Sequence, residues 1–441
     1  MIPTLSEMLS DTPYVGYAYS YPHKMAYRSL DPPILLRDLW AGERRDALFL
    51  YLHIPFCEMR CGFCNLFTTA NPAATLERQY LDALRRQALR VRDALGDFQI
   101  ARMAIGGGTP TYLEPDDLNS LFDLTSELFG VHGGVPTSVE TSPRTATPER
   151  LQVLADRGVD RVSMGVQSFV PAEAAAAGRG QETELVTRAL ETIRAARIPT
   201  LNIDLIYGLP GQTVQTWLHS LEVALRSAPE ELYLYPLYVR PLTGLSRVER
   251  ERQDVRLACY RAGREFLLSS GYMQVSMRMF RAAHAPDASN VGPVYCCQDD
   301  GMVGLGCGAR SYTREVHYSR EYAVGRTSVK GVLQDYLARP DAAFDIADYG
   351  VRLTGEEQRR RYVISTILQC EGLDEAAYFD RFGARVWEDL PQLAELEPLG
   401  LATRGDGKLA LTEFGVERSD TIGPWLYSEA ARRQSEEFVL L

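Results

Sequence analysis

Tyr51-Leu-His-Ile-Pro-Phe-Cys-Glu-Met-Arg-Cys-Gly-Phe-Cys64 places three cysteines, Cys57, Cys61 and Cys64, within eight residues. At C-x3-C-x2-C spacing, three thiolates can hold three irons of a [4Fe–4S] cube and leave the fourth iron without a protein ligand. Structural clusters and zinc sites normally fill all four positions, so an odd count marks an iron open to a cofactor or substrate. The apolar run Leu48–Phe56 that leads into the triplet reads as a β-strand, with the cysteines on the loop after it.

Outward from that loop, apolar β-branched runs alternate with helical patterns. After 48–56 they fall at Ile100–Ile105, Thr137–Glu140, Arg161–Val166, Leu201–Tyr207 and Leu232–Val239. Between the first two, Tyr80, Leu84, Ala88, Val91 and Leu95 share one helical face, and Gly96 is placed to end the helix. Another helix opens with Thr147-Pro148 as N-cap and first residue, runs through Leu151 and Leu154, and stops at Gly158. Six β–α units in order imply parallel strands with right-handed crossovers, and their length fits a partial (β/α)6 barrel of TIM type. Chemistry in such barrels sits at the C-terminal strand ends, where the cysteine loop falls. The expected organisation is an N-terminal arm at 1–46, a barrel core at 47–245, an extension on the substrate side at 246–354 and a small, mostly helical domain at 355–441. The arm carries Tyr14, Tyr17, Tyr19, Tyr21 and Tyr27 around Pro22-His23-Lys24 and reads as a surface-packing segment. The last domain has helices at 356–370 and 374–382 and a turn at Arg404-Gly-Asp-Gly407 before Leu409 and Leu411, like the wing of a winged helix.

The 441 residues carry a formal charge of −11, which argues against nonspecific binding to nucleic acid or an anionic membrane. No charged region followed by an apolar run opens the chain, and no stretch approaches a membrane span. Eight cysteines, clustered only at 57–64, do not form a disulfide framework, so the reducing cytoplasm is the expected setting. Cys259 and Cys370 fall in helical patterns and read as core. Adjacent Cys296-Cys297, with Cys307, lack the C-x2-C pair a second cluster would use. His23, His53 and His284 have no partner at metal-ligand spacing. His53 reads as a structural support of the cysteine loop, and Arg240, Arg278 and Arg281 as surface residues, with contact to an acidic substrate as the alternative.

Several polar or glycine-rich segments stand at strand ends: Gly106-Gly-Gly-Thr-Pro110 after the second run, Glu140 after the third, Gly165-Val-Gln167 after the fourth, and Asp204 in the fifth. Consecutive glycines let backbone amides approach a ligand closely. The strings Tyr51-x-His53-Ile-Pro-Phe-Cys57, Gly106–Thr111, Ser163-Met-Gly-Val-Gln167 and Asp204-Leu-Ile-Tyr-Gly-Leu-Pro210 together resemble the HemN-like radical S-adenosylmethionine (SAM) family. That family is named for the oxygen-independent coproporphyrinogen III dehydrogenase. The likeness continues in Gly304-Leu-Gly306, Gly308-Ala-Arg-Ser311 and Ile422-Gly-Pro-Trp-Leu-Tyr-Ser428. It implies a cluster on Cys57, Cys61 and Cys64 and two SAM molecules. By position, Tyr51, Gly107, Glu140 and Arg310 would contact the cluster-bound SAM. Phe63, Gly108, Thr109, Gln167, Arg179, Asp204 and Pro236 would contact the second, with Gln167 and Asp204 counted among the catalytic residues.

One departure shifts the expected reaction. The dehydrogenase has a further cysteine two residues past the third ligand, where this chain has Leu66, and an apolar side chain cannot do a thiol's redox or acid–base work. The motif looks more like members that transfer a carbon unit, the class C methylases and cyclopropanases. In that reading the cluster and first SAM yield a 5′-deoxyadenosyl radical that activates the second SAM for methyl or methylene transfer to an unsaturated or aromatic small molecule. An external one-electron donor such as flavodoxin or ferredoxin would supply the electron. The alternatives are an oxidative decarboxylase of the coproporphyrinogen III type and a non-catalytic haem-binding carrier.

Overall fold

Six apolar runs become six parallel strands, Leu48–Ile54, Ile100–Gly107, Thr137–Thr141, Arg161–Gln167, Thr200–Tyr207 and Glu231–Pro236, hydrogen-bonded in chain order. They come from a computed structural model that describes residues 4–10, 12–247, 254–286 and 301–438. Helices Ala74–Leu95, Pro115–Phe129, Pro148–Asp156, Thr183–Ala195 and Val214–Leu225 make the crossovers that parallel pairing requires. The helix face read from the sequence holds: Tyr80, Leu84, Ala88, Val91 and Leu95 are buried, and Gly96 ends the helix. Thr147 caps the next predicted helix by accepting from the Arg150 N–H, with Pro148 in its first turn.

The run expected as one strand over 48–56 breaks at Pro55. Leu48–Ile54 stays in the barrel sheet, while Phe56–Cys57 turns away and pairs with Thr69–Ala70. Proline has no N–H to give the ladder, so the chain leaves the sheet one step before the first cysteine. The sheet also exceeds six strands. Met302–Leu305 adds a seventh parallel strand on the outer side of Leu48–Ile54, and antiparallel strands extend both flanks to thirteen. The two end strands, Arg28–Leu35 and Tyr272–Gln274, do not pair with each other, which leaves the barrel partial.

The N-terminal tyrosines are not on the surface. Tyr14, Tyr21 and Tyr27 are buried, Tyr17 and Tyr19 half-buried, and Arg28–Leu35 pairs antiparallel with Ile346–Arg352. The buried Tyr21 phenol finds its hydrogen-bond partners in the C-terminal segment: it bonds Glu357 and accepts from the Ser428 N–H at 3.2 Å. Backbone contacts join the same parts, from Gly16 N–H to the Asp420 carbonyl at 3.1 Å. Beyond helices Gly355–Ile367 and Glu375–Phe382, the predicted wing is a hairpin of Ala402–Gly405 and Lys408–Leu411. Its turn residues Asp406 and Gly407 both have positive φ, as a type I′ turn requires.

Cys259 is core as expected, whereas Cys370 lies half-buried in a turn beyond its helix. Cys307 is fully buried, and Cys296 and Cys297 lie outside the described residues. Among the described residues no helix is long and apolar enough to cross a membrane.

Three arginines read as surface residues are engaged instead. Arg281 lies 3.5 Å from Glu231, and Arg240 lies 4.6 Å over the Tyr238 ring. Arg278 is 3% exposed, donates to Asp420 at 2.5 Å, and carries the rings of Tyr17 and Tyr19 at 4.7 and 5.1 Å. Tyr238 donates to the same Asp420 oxygen. Arm, barrel and C-terminal segment therefore meet on one buried ion pair. Removing one partner leaves the other charge buried alone, so Arg278→Met or Asp420→Asn is expected to lower unfolding free energy by about 3–5 kcal/mol in urea titrations. The double change Arg278→Met with Asp420→Leu is expected to recover more than half; single changes worth under about 1 kcal/mol would show the pair to be dispensable.

Candidate active site

Residues 58–68 form an irregular loop, so contacts from outside must fix their backbone. Between Cys61 and Phe63, the Gly62 N–H donates to the Ala177 carbonyl at 2.9 Å and the Gly62 carbonyl accepts from the Leu245 N–H at 2.8 Å. Tyr322 donates to the Asn65 carbonyl at 2.6 Å, and Arg60 donates to the Val324 carbonyl. Beneath the loop, buried His53 bonds the Phe67 carbonyl through Nε2 at 2.9 Å. Burial pulls this imidazole down to about 4 against the opposing pull of that carbonyl, so the ring is neutral and donates from Nε2. Gly107 crosses the ring so closely that a Cβ would sit 2.6 Å from it, at a φ of +113°. His53 thus couples the loop to the second strand, the structural role read from the sequence.

Each cysteine sulfur has a side-chain partner. Thr109 Oγ1 lies 3.7 Å from Cys57 Sγ, Arg179 Nη1 lies 3.4 Å from Cys61 Sγ, and Thr68 Oγ1 lies 3.8 Å from Cys64 Sγ. Burial pushes the Cys57 thiol up to about 12 and raises Cys61, Arg179 opposing in the second case. Thiols in that setting stay protonated unless a metal takes the proton's place. Among the described residues no three metal-ligating side chains close on a single ion, and a four-iron cube asks each thiolate to hold its own corner. The donor set fits such a cube: three thiols on one loop, each sulfur within reach of a donor.

Around the rim, Glu140 accepts from the Gly107 N–H at 3.0 Å; the protein packed around it raises its carboxyl to about 7, against that hydrogen bond. Asp204 accepts from Asn202 at 2.8 Å and Ser163 at 3.2 Å, while burial raises its carboxyl. Gln167 is buried with a φ of 71°, next to a register shift between the fourth and fifth strands. A non-glycine residue held there costs about 1–3 kcal/mol and is a mark of functional sites. Arg179 bridges two parts of the rim, from Cys61 to the Gly165 carbonyl at 2.6 Å. Phe63 packs against the buried cluster of Ala177, Ile206, Leu209, Leu237 and Leu245, whereas Pro236 is buried opposite Tyr207 at the end of the sixth strand. Tyr51 lies 3.4 Å from His53, and Arg310 opens the strand after the cluster-side Met302–Leu305.

Asn202 was not among the residues read from the sequence, although it stands two positions before Asp204 on the same strand face. The period of two was the signal. Asp420, across the fold from Arg278, left none. Gly108 generates a test: its Cβ would sit 2.5 Å from the Phe56 carbonyl oxygen and 3.0 Å from Cys57 Sγ. Gly108→Ala is expected to keep its far-ultraviolet circular dichroism but to retain less than half the iron per chain after anaerobic reconstitution. Full iron loading would show that the loop can yield.

The Radical SAM superfamily profile matches residues 51–224, and the HemN C-terminal domain profile matches residues 353–417. The chain is 28% identical over 389 residues to the oxygen-independent coproporphyrinogen III oxidase of Escherichia coli (strain K12), covering 83% of this chain and 82% of that one. It is 27% identical over 376 residues to the heme chaperone HemW of Bacillus subtilis (strain 168), covering 83% of this chain and 95% of HemW. The solved structure of the Escherichia coli coproporphyrinogen III oxidase superposes with a TM-score of 0.80 at 24% identity, over 93% of this chain and 96% of that one, a likeness of fold. These relatives are named as an oxidase and a heme chaperone and do not support the expected methylase or cyclopropanase subtype. Over residues 51–224 the chain is thus similar to the Radical SAM superfamily and over 353–417 to the HemN C-terminal domain, and its cofactors are a [4Fe–4S] cluster and SAM.

Proposed function

We propose that the protein is a radical SAM oxidase of a carboxylate-bearing small molecule. The observation that carries this reading is the correspondence with the Escherichia coli oxidase, which runs over 83% of this chain. Cys57, Cys61 and Cys64 hold three irons, and their hydrogen-bond partners Thr109, Arg179 and Thr68 tune the sulfurs. Glu140 and the Gly106–Gly108 backbone receive the amino acid end of the cluster-bound SAM, with Tyr51 and Arg310 beside it. Gln167, Arg179 and Asp204 receive the second SAM together with Phe63, Gly108, Thr109 and Pro236. Asn202 and Ser163 fix the Asp204 carboxylate so that both its oxygens are already oriented. When bound, a reduced cluster with SAM would supply the hydrogen-abstracting power, and oxidation of the carboxylate-bearing substrate would be completed by loss of carbon dioxide and of one electron to an external electron acceptor.

A second reading, carbon transfer from the second SAM, is favoured by Leu66. It replaces the further cysteine of the dehydrogenase and stands 47% exposed on the cluster loop, where it offers no proton or electron. The likeness to HemW favours a third, a haem carrier. Anaerobic, reduced protein given SAM and coproporphyrinogen III or related porphyrinogens separates them. The oxidase is expected to form 5′-deoxyadenosine without S-adenosylhomocysteine. Formation of both nucleosides would replace it with carbon transfer, and stoichiometric haem binding with neither would replace it with the carrier.

The two-SAM assignment has its own check. Loss of one charge-assisted contact is worth about 1.5–3 kcal/mol, so Asp204→Ala is expected to weaken one of two SAM equilibria by roughly 10–100-fold in calorimetry. The other equilibrium is expected to change less than about threefold. Equal weakening of both, or a single site in the unaltered protein, would dismiss the assignment.

A further inference from the structure

Arg179 and Gln181 stand two residues apart in Gly178-Arg-Gly-Gln181, on the loop between helices Pro171–Ala176 and Thr183–Ala195. Two glycines bring this loop onto the cysteine loop. A Cβ on Gly178, whose φ is +68°, would sit 2.8 Å from the Gly62 nitrogen, and a Cβ on Gly62 would sit 2.7 Å from the Ala177 carbonyl oxygen. Only bare backbones approach one another this closely. The contact sets Arg179 beside Cys61.

Backbone contact alone would leave a long side chain free to turn, and Arg179 is not free. Its Nη2 donates to the Gly165 carbonyl at 2.6 Å and its Nε to the Gln181 side-chain oxygen at 3.0 Å. Gln181 is fixed from its other end, since its amide nitrogen donates to the Val166 carbonyl at 2.6 Å and to the Ser168 carbonyl at 3.3 Å. Those two carbonyls flank Gln167, the residue with positive φ at the end of the fourth strand. With Nε and Nη2 both held, the planar fork has one orientation, and Nη1 falls 3.4 Å from Cys61 Sγ. The partners of Cys57 and Cys64 are threonine hydroxyls at 3.7 and 3.8 Å, whereas the partner of Cys61 is a cation.

We propose that Gln181 is a positioning residue: by holding Arg179 it keeps a charge-assisted N–H···S hydrogen bond on Cys61 and so raises the reduction potential of the cluster carried there. Uptake of an electron adds negative charge to the cluster and its sulfurs, and a cation that donates to one of them stabilises the reduced form more than the oxidised form. The inference rests on the assignment of the cluster to Cys57, Cys61 and Cys64 and is the same for all three readings of the reaction.

The anaerobically reconstituted full chain, without SAM, is titrated with reductant and followed by electron paramagnetic resonance. At a fixed applied potential Gln181→Ala is expected to lower the ratio of reduced to oxidised cluster at least tenfold, which for one electron is a shift of about 59 mV to more negative potential, at unchanged iron per chain. Arg179→Met is expected to lower it at least as far. With Arg179 already replaced, Gln181→Ala is expected to add less than a twofold change, because it acts only through that side chain. A Gln181→Ala ratio within twofold of the unaltered protein, or an equal effect with and without Arg179, would overturn the proposal. If Gln181→Ala loses iron, the unaltered protein carries the test. Labelled with heavy-nitrogen arginine, its reduced cluster is expected to show a nitrogen hyperfine coupling in pulsed resonance that Arg179→Lys removes; no coupling, or one that survives Arg179→Lys, would overturn the hydrogen bond. An unaltered protein with no four-iron signal at all would overturn the cluster assignment itself, a failure distinct from the others.

Discussion

Three half-buried thiols on and at the head of a loop without regular structure are the constraint around which the rest of this fold is arranged. A helix or strand satisfies its own backbone, but this loop cannot, so its amides and carbonyls are met by four separate segments. Gly62 is held from Ala177 and Leu245, Asn65 from Tyr322, Arg60 from Val324 and Phe67 from His53. These partners are spread over some 270 residues of chain, from the first barrel strand to the segment beyond the antiparallel flank. The loop is therefore a place where the fold is assembled as well as a ligand set. Displacing it would release contacts in all four segments together, which explains why glycine is required where the second strand passes beneath it.

The same need for outside support explains why the molecule is larger than a six-stranded half barrel. Met302–Leu305 pairs along Leu48–Ile54 and brings Cys307, Gly308 and Arg310 beside the cluster strand. The N-terminal tyrosines then cross from the sheet edge to the C-terminal segment, closing over Arg278 and Asp420. A buried ion pair is weak evidence for stability in itself, because desolvation offsets much of its attraction. Its value here is positional: two tyrosine rings, a third tyrosine hydroxyl and a carboxylate must all be in place before the guanidinium can be buried.

Much of this was legible in the sequence because it depends on short-range pattern. The alternation of apolar runs and helical faces located six strands within one or two residues over most of their length, and Thr147-Pro148, Gly96 and Asp406-Gly407 marked element ends by their backbone chemistry. Pro55 was visible too, and its missing N–H should have divided the first run. The contacts of the arginines were illegible for a different reason. Arg278 finds its carboxylate 142 residues away, Arg179 its sulfur 118 residues away, and nothing local distinguishes them from solvated arginines. Burial of the tyrosine arm is of the same kind, since it depends on which surface the arm lies against. Asn202 was readable in principle, being in phase with Asp204.

The cluster loop and strand ends resemble both an oxidase and a haem chaperone, so that common part cannot by itself decide what happens to a radical once formed. The residues assigned to the cofactors come mostly from the strands and loops of the barrel, where register is rigid. Tyr322, which holds Asn65 on the cysteine loop, and Lys24 over its ring come from a connecting loop and the arm, which tolerate change in length and composition. Leu66 belongs to the barrel side, and its apolar side chain offers neither a proton nor an electron beside the cysteines.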